Sequence, residues 1–478
     1  MKHFSWMARS VLCGLALLLL VQCSQPGRVE QPSATPIAEA PTSVTAPQAT
    51  AAAETLTSAA PQTTATTEPA PTTDAPQATA PTEPAPTTDA PQATAPTNAD
   101  APASDRVAPE QTQEATAAAN QAHVFLDQAQ IDTIKTKVQA GEEPWATAYT
   151  KLMADAEAAL VAEPFSITKN GGPDGGHEFA TDAPYCGWSR VDGRQPDCRD
   201  GQINKQADRQ DYSEAIAASR AVRDLGLAYV ITDDTRYADQ AVRIIRVWSI
   251  DPATRMAPMY TTKQSQIELS ITLPGMFYGA DLLETYPDWP TEEQRAFQEW
   301  VAAIAESAKG WSSKNNFENW RVNFIAAAGA YLDNQALLDY AFDRYCSIIS
   351  AQIDNEGRMV EELERSAGLG YSLYAINAMI QTAEIARHHN VDLYNYTTAD
   401  GVGLKRAVDF HARYALAPEQ WPYKQEAPLK PEDNLALFEL AYAYWGEPVY
   451  LDVINRWGRP MQETRILGPV SLTHAAKS

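Results

Sequence analysis

Residues 26–120 contain no Phe, Tyr or Trp, although they hold 16 of the 33 prolines. A stretch of Ala, Thr, Pro and Gln without aromatic side chains cannot bury enough apolar area to offset the entropy of ordering, which excludes a folded domain there. Cysteine is scarce, five in 478 residues, and the seven histidines are scattered. With no CxxC, HExxH or EF-hand spacing, neither a metal nor a cofactor is expected. Basic side chains are outnumbered, 37 against 61 acidic, for a net charge of −24. That excludes nucleic-acid binding through general basicity. Residues 122–478 alone still carry 33 basic against 50 acidic side chains, so an anionic partner must be met by local cations.

Long apolar runs are also few. One runs from Val11 to Val21 behind Lys2 and Arg9, too short for a spanning helix and suited to a secretory signal. It ends in Leu20-Val21-Gln22-Cys23, which resembles a bacterial lipobox, with Gln22 where a small residue is usual. The resemblance implies removal of residues 1–22, acylation of Cys23 and a lipoprotein of the cell envelope; free secretion is the alternative. Residues 23–121 then form a tether in which Thr67–Pro81 recurs unchanged as Thr82–Pro96. Such a Pro/Thr-rich chain is extended and holds a folded head clear of a membrane. The head, residues 122–478, carries 40 of the 42 aromatics. In an exported head Cys186 and Cys198 are expected to close a small loop as a disulfide, and Cys346, inside an apolar helical pattern, to stay a buried free thiol.

The head has almost no strand-like alternation. Helical periodicity appears at 212–230, 237–248, 292–308, 322–332, 335–353, 371–388, 404–414 and 434–445. Helical hairpins without a fixed repeat argue against a regular solenoid and for an all-α fold, an α/α toroid or incomplete barrel of hairpins, behind the disordered N-terminal region. A toroid has a cleft lined by helix ends, which makes polar residues at element boundaries the suspects, and a monomer is expected.

Three boundary clusters stand out. In 177–209, His177, Tyr185, Trp188, Arg190, Arg194, Arg199, Lys205 and Arg209 lie in a Gly/Asp/Pro-rich stretch. Aromatics for stacking on sugars and cations for carboxylates have this composition, and so does a solvated loop. In Lys314-Asn315-Asn316-Phe317-Glu318-Asn319-Trp320, Asn316 and Trp320 share a face once a helix has begun, whereas an Asn there is by default a helix cap. In the third, Glu362-Leu363-Glu364-Arg365 precedes Gly368, Gly370 and Tyr371. Arg365 and Tyr371 are six residues apart, about 240° on one helix. The glycines therefore put Arg365 on a loop and Tyr371 at the start of the next helix, where both can face one cleft. The plain alternative pairs Arg365 with Glu362 and buries Tyr371.

Taken in order, these clusters resemble the alginate lyase family, polyuronate lyases with an α/α toroid. The resemblance rests on Asn315 to Trp320, Asp354-Asn355-Glu356-Gly357, Glu362 to Arg365 with Tyr371, Val391 to Tyr394, Asp200 to Asn204, Leu227 to Tyr229 and Asp251 to Met256, and covers about 177–442. It implies that Asn316 and Arg365 grip the uronate carboxylate and that Tyr371 is the catalytic acid and base. The chemistry is consistent with those residue types. Removing H5 builds a second negative charge on a carboxylate, and a cation or amide aimed at it contributes about 3–4 kcal/mol. A tyrosine base, ordinarily near 10, must fall by about two or three units, and an adjacent guanidinium supplies a shift of roughly one to three.

Phe317 stands where the family often has His and cannot move a proton. In D-mannuronate and D-glucuronate H5 and O4 leave from one side, so one Tyr suffices; L-guluronate needs a second group. The expectation is activity on mannuronate-rich alginate or a glucuronan-like polymer, unless a group such as His177 replaces the imidazole. The rival reading is a surface-anchored glycan-binding lipoprotein that does not cut. Lys263, Gln264 and Gln266 fall where the family tends to carry Gln, and Trp320 and Trp188 are candidate sugar platforms. Arg190, Lys205, Lys263, Arg321 and Arg365 are expected along one cleft wall.

Overall fold

In a computed structural model of the protein, the described residues are 124–172, 174–185, 204 and 207–476. The expected signal, Cys23 and the tether lie outside them, as do Cys186, Trp188, Arg190, Cys198 and Lys205.

The head is built from helices, and among the described residues backbone pairing of the β type is confined to isolated bridges. In chain order the helices are α1 Gln128–Gln139, α2 Trp145–Leu160, α3 Gln210–Thr232, α4 Thr235–Ile245, α5 Lys263–Ser270, α6 Leu273–Asp281, α7 Thr291–Lys309, α8 Asn316–Tyr331, α9 Gln335–Gln352, α10 Gly368–His388, α11 Leu404–Leu416, α12 Pro431–Asn434, α13 Leu437–Trp445, α14 Pro448–Trp457 and α15 Val470–Thr473. Each stretch with helical periodicity is helical. The last one is split between α12 and α13, and α8 begins at Asn316 because Asn315 caps it, its Oδ1 accepting from Phe317 N at 3.3 Å.

Neighbouring helices pack in a closed path, α3 on α6, α6 on α8, α8 on α10, α10 on α13, and α13 through α15 to α2 and back to α3. This is the α/α toroid. Its inner helices are buried nearly all round: every residue of α6 is buried, and 17 of 21 in α10. Outer helices such as α4 and α11 are amphipathic and bury one face. Ala-rich inner helices approach closely, and α3 and α6 most of all. A Cβ on Gly279 would lie 2.3 Å from the Val222 carbonyl oxygen, and one on Gly226 2.7 Å from that of Gly279. Only glycine fits both sides of that crossing.

Cys346, expected as a free thiol, is disulfide-bonded, with its partner outside the described residues. At 9% exposure on α9 it lies at the margin of the core. The period of one helix carries no record of which other segment passes alongside it.

Candidate active site

A cavity of about 720 Å³ opens where the inner helices begin. Its wall includes Arg209 and Tyr212 at the start of α3, Gln264 and Glu268 of α5, Asn316 and Phe317 of α8, Tyr371 and Tyr374 of α10, and Lys430 and Asn434 at α12. Helix N-termini carry partial positive charge, so this end of the toroid favours an anion before any side chain is counted.

Two loop contacts hold Arg365 at the rim. Gly368 N donates to the Lys424 carbonyl at 2.9 Å and Glu426 N to that of Ser366 at 2.7 Å. A side chain at 368 would strike the Leu363 and Lys424 carbonyls, 2.6 and 2.9 Å from its Cβ, which explains Gly368. α10 begins at that glycine, three residues before Tyr371. Gln425 Oε1 accepts from Leu369 N at 3.0 Å and Gly370 N at 3.4 Å, covering the first turn.

Arg365 and Tyr371 meet. The guanidinium carbon lies 4.1 Å from the ring centre, and the Tyr371 hydroxyl donates to Tyr185 at 2.8 Å. Arg365 also faces Glu362, Nη1 to Oε2 at 3.5 Å, so the two readings of this arginine coexist. Glu362 is fully buried, and its Oε1 accepts from Asn316 N at 2.7 Å and Asn316 Nδ2 at 2.8 Å. Burial pushes this carboxyl up to about 7, against the lowering effect of the Asn316 hydrogen bonds and Arg365.

A second buried carboxylate is organised alike. Glu268 pairs with Arg209, accepts from Thr181 and from Gln264 Nε2 at 2.6 Å, and is raised by burial against those partners. Arg209 lies 4.5 Å over Tyr212, whose hydroxyl accepts from Arg465 Nη1 at 3.2 Å, and Arg465 lies 4.8 Å over Tyr374. The turn carrying Arg465 is tied by Glu463 Oε2, which accepts from Ile466 N at 2.6 Å and Leu467 N at 2.9 Å.

The structure thus brings Asn316, Arg365, Tyr371, Tyr185 and Gln264 to one cavity, and leaves other expected contacts elsewhere. Trp320 is buried beneath Tyr374, ring centres 4.9 Å apart, and cannot be a sugar platform. Gln266 is fully buried because it turns inward on α5, away from the face that Gln264 and Glu268 share. His177 is held by the Arg255 carbonyl at 2.8 Å and does not line the cavity; among the described residues no histidine does. Lys263 is exposed, 5.9 Å over the Phe317 ring, outside the lining. Arg321, expected on the cleft wall, is 1% exposed and bound to Glu318 at 2.6 Å, the i,i+3 spacing pairing them inside the core. Among the described residues the cations at the wall are Arg365, as expected, with Arg209, Lys430 and Arg465.

Sequence reasoning passed over Glu268, Tyr212, Tyr374 and Arg465 as site residues. Tyr371/Tyr374 and Gln264/Glu268 could have been found from their helical spacing, but nothing local marks Arg465, about ninety positions beyond Tyr371.

The family model described as alginate lyase matches residues 168–421. A search of curated proteins finds no match. Among solved structures, an alginate lyase from Bacteroides ovatus superposes with a TM-score of 0.63 at 24% identity, covering 74% of this chain and 99% of that one. Alginate lyase A1-III from Sphingomonas species A1 does so at 0.56 and 18%, covering 77% and 100%. A tyrosine-to-phenylalanine variant of alginate lyase A1-III, complexed with tetrasaccharide, also superposes at 0.56 and 18%, covering 75% and 97%. At these identities the likeness speaks to the fold, and the family match spans more than half of the chain. With the toroid and the cavity at its helix ends, this makes the chain a member of the alginate lyase family and a polysaccharide lyase.

Proposed function

We propose that the protein cleaves a 4-linked polyuronate by syn β-elimination, leaving a 4,5-unsaturated uronate end. The observation that carries this reading is Tyr371 lying under the Arg365 guanidinium in a cavity that Asn316 also lines. Asn316 Nδ2, one hydrogen committed to Glu362, has a second to offer a sugar carboxylate, and the planar guanidinium has several. Both stabilise the charge that gathers on that carboxylate as H5 leaves. Tyr371 takes H5 as a phenolate, which the guanidinium over its ring favours, and returns the proton to O4 as the glycosidic bond breaks. Tyr185 holds the hydroxyl in place.

Phe317 lines the cavity beside these groups and offers no proton on the other side of the sugar. This supports a D-mannuronate- or D-glucuronate-containing polymer over guluronate blocks. The test is ultraviolet absorbance of the conjugated product on defined polyuronates. Mannuronate or glucuronate chains are expected to be cut at least tenfold faster than guluronate chains; equal rates would remove the argument from Phe317.

The N-terminal expectation becomes a second proposal: Cys23 is acylated after removal of residues 1–22, and the tether carries the head away from the envelope. Labelling with a palmitate analogue, lost on Cys23→Ala together with membrane association, is the expected result. An unlabelled, freely secreted protein would refute it.

A further inference from the structure

The hydrogen bonds of Glu362 go to the two groups that the proposed reaction offers to its substrate. Its Oε1 accepts from Asn316 N and Nδ2 at 2.7 and 2.8 Å, and Oε2 faces Arg365 Nη1 at 3.5 Å, while the carboxylate itself is fully buried. A uronate seated at Asn316 and Arg365 therefore places a second carboxylate on an amide and a guanidinium that already serve one. Two carboxylates sharing one cation at low dielectric do not both remain ionised, and one of them takes a proton. The buried one is shielded from solvent, whereas the sugar carboxylate lies in an open cavity.

We propose that Glu362 takes up a proton when a uronate binds, which passes the charge of Arg365 to the substrate carboxylate. The inference rests on the polyuronate reading and adds a positioning residue to it. The proton sits on Oε2, toward Arg365, and Oε1 continues to accept from Asn316, so the amide keeps its orientation as the charge is released.

The groups around Glu362 agree with this. From α8 it faces Asn316; along its own loop it has Arg365 and Glu361, and Glu361 is tied to Lys314 at 3.0 Å; Tyr371 of α10 lies beyond Arg365. In the free protein burial already lifts Glu362 to about 7, and a second anion at Arg365 moves it further up. Above neutrality, binding then consumes a proton and weakens by up to about tenfold in Kd for each pH unit.

The experiment is calorimetry of a mannuronate or glucuronate tetrasaccharide binding to the full-length Tyr371→Phe protein, which does not consume its ligand. It is run at pH 8 in two buffers of different ionisation enthalpy. Uptake approaching one proton is expected, with Kd rising several-fold from pH 7.5 to 8.5. Added to that background, Glu362→Gln keeps an acceptor for Asn316 but cannot titrate, so uptake disappears and Kd becomes flat with pH. Glu268→Gln, which removes a buried carboxylate of the cavity wall, retains the uptake. Binding without proton uptake, uptake that survives Glu362→Gln, or uptake lost in Glu268→Gln each overturns the proposal. Should Glu362→Gln fail to fold, the parent and Glu268→Gln decide it. Absence of both binding and lyase activity on every polyuronate instead overturns the functional reading, and the proposal with it.

Discussion

The guanidinium carbon of Arg365 lies 4.1 Å from the centre of the Tyr371 ring, with the Tyr371 hydroxyl bonded to Tyr185. Removing either half of that pair removes a different part of the chemistry. Tyr371→Phe is expected to lower kcat by about 10²–10⁴ with KM within a few-fold, since only proton transfer is lost. Arg365→Lys is expected to recover little of the Arg365→Ala loss, about 10²–10³ in kcat, because an ammonium lacks the planar fork that serves Glu362 and a substrate together. Continuous absorbance assays check both; full activity of Tyr371→Phe would exclude it as the base.

Arg321 is structural. Its guanidinium is shared among Glu318, the Ala308 carbonyl at 3.1 Å and the Tyr340 hydroxyl at 3.2 Å, and Arg344 reaches the same Glu318 at 2.6 Å. Arg321→Ala leaves a buried carboxylate partly uncompensated and is expected to cost about 3–5 kcal/mol of stability. Denaturant unfolding measures this, and KM of the folded variant should not move. A raised KM with unchanged stability would put Arg321 back in the cleft.

Gly279→Ala tests the tightest helix crossing. The added methyl, 2.3 Å from the Val222 carbonyl oxygen, forces α3 and α6 apart, and a loss of about 1–3 kcal/mol or more is expected. Gly141→Ala, which meets no atom within 4 Å but has φ +66°, is expected to lose only the cost of the left-handed backbone, about 1 kcal/mol. Equal losses in thermal melts of the two would remove the packing argument.

Acid should destabilise the head through its buried histidines, opposed in part by Glu362, whose carboxyl burial holds near 7 and which therefore adds stability as pH falls. Burial holds His388 and His411 down to about 4, and for His388 Arg387 and His474 add to the effect while Glu384 opposes it. In the unfolded chain a histidine titrates near 6.5, so between about pH 6.5 and 4 the unfolded state binds more protons. The stability these residues contribute is complete above about pH 6.5 and is lost as pH falls toward 4, by roughly 3 kcal/mol for each fully buried ring. Melting curves at pH 7.5, 6 and 5 should show the decline, and His411→Phe should lessen it. A melting temperature flat across that range would contradict it.

Much of this was legible beforehand because it is local. The 3.6-residue period marked the helices, and the change from Gly370 to an apolar run placed Tyr371 near a helix start while Arg365 stayed outside it. The order of the Asn316, Glu362, Arg365 and Tyr371 motifs pointed to the family. An inner helix was harder: α6, buried on every side, shows no contrast between faces and so no amphipathic signal.

The sequence by itself therefore determined the helical class and which residue types could perform an elimination, since these depend on composition and near-neighbour spacing. Tertiary structure alone decided that Arg321, Trp320 and Gln266 turn inward, that Arg209, Lys430 and Arg465 join Arg365 at the cavity wall, and that Glu362 stands behind Asn316 and Arg365. Those outcomes depend on which face of each helix meets which neighbour once the ring closes, and on contacts between segments far apart in the chain, such as that joining Tyr212 to Arg465, 253 residues on, and that joining Tyr185 to Tyr371, 186 residues on.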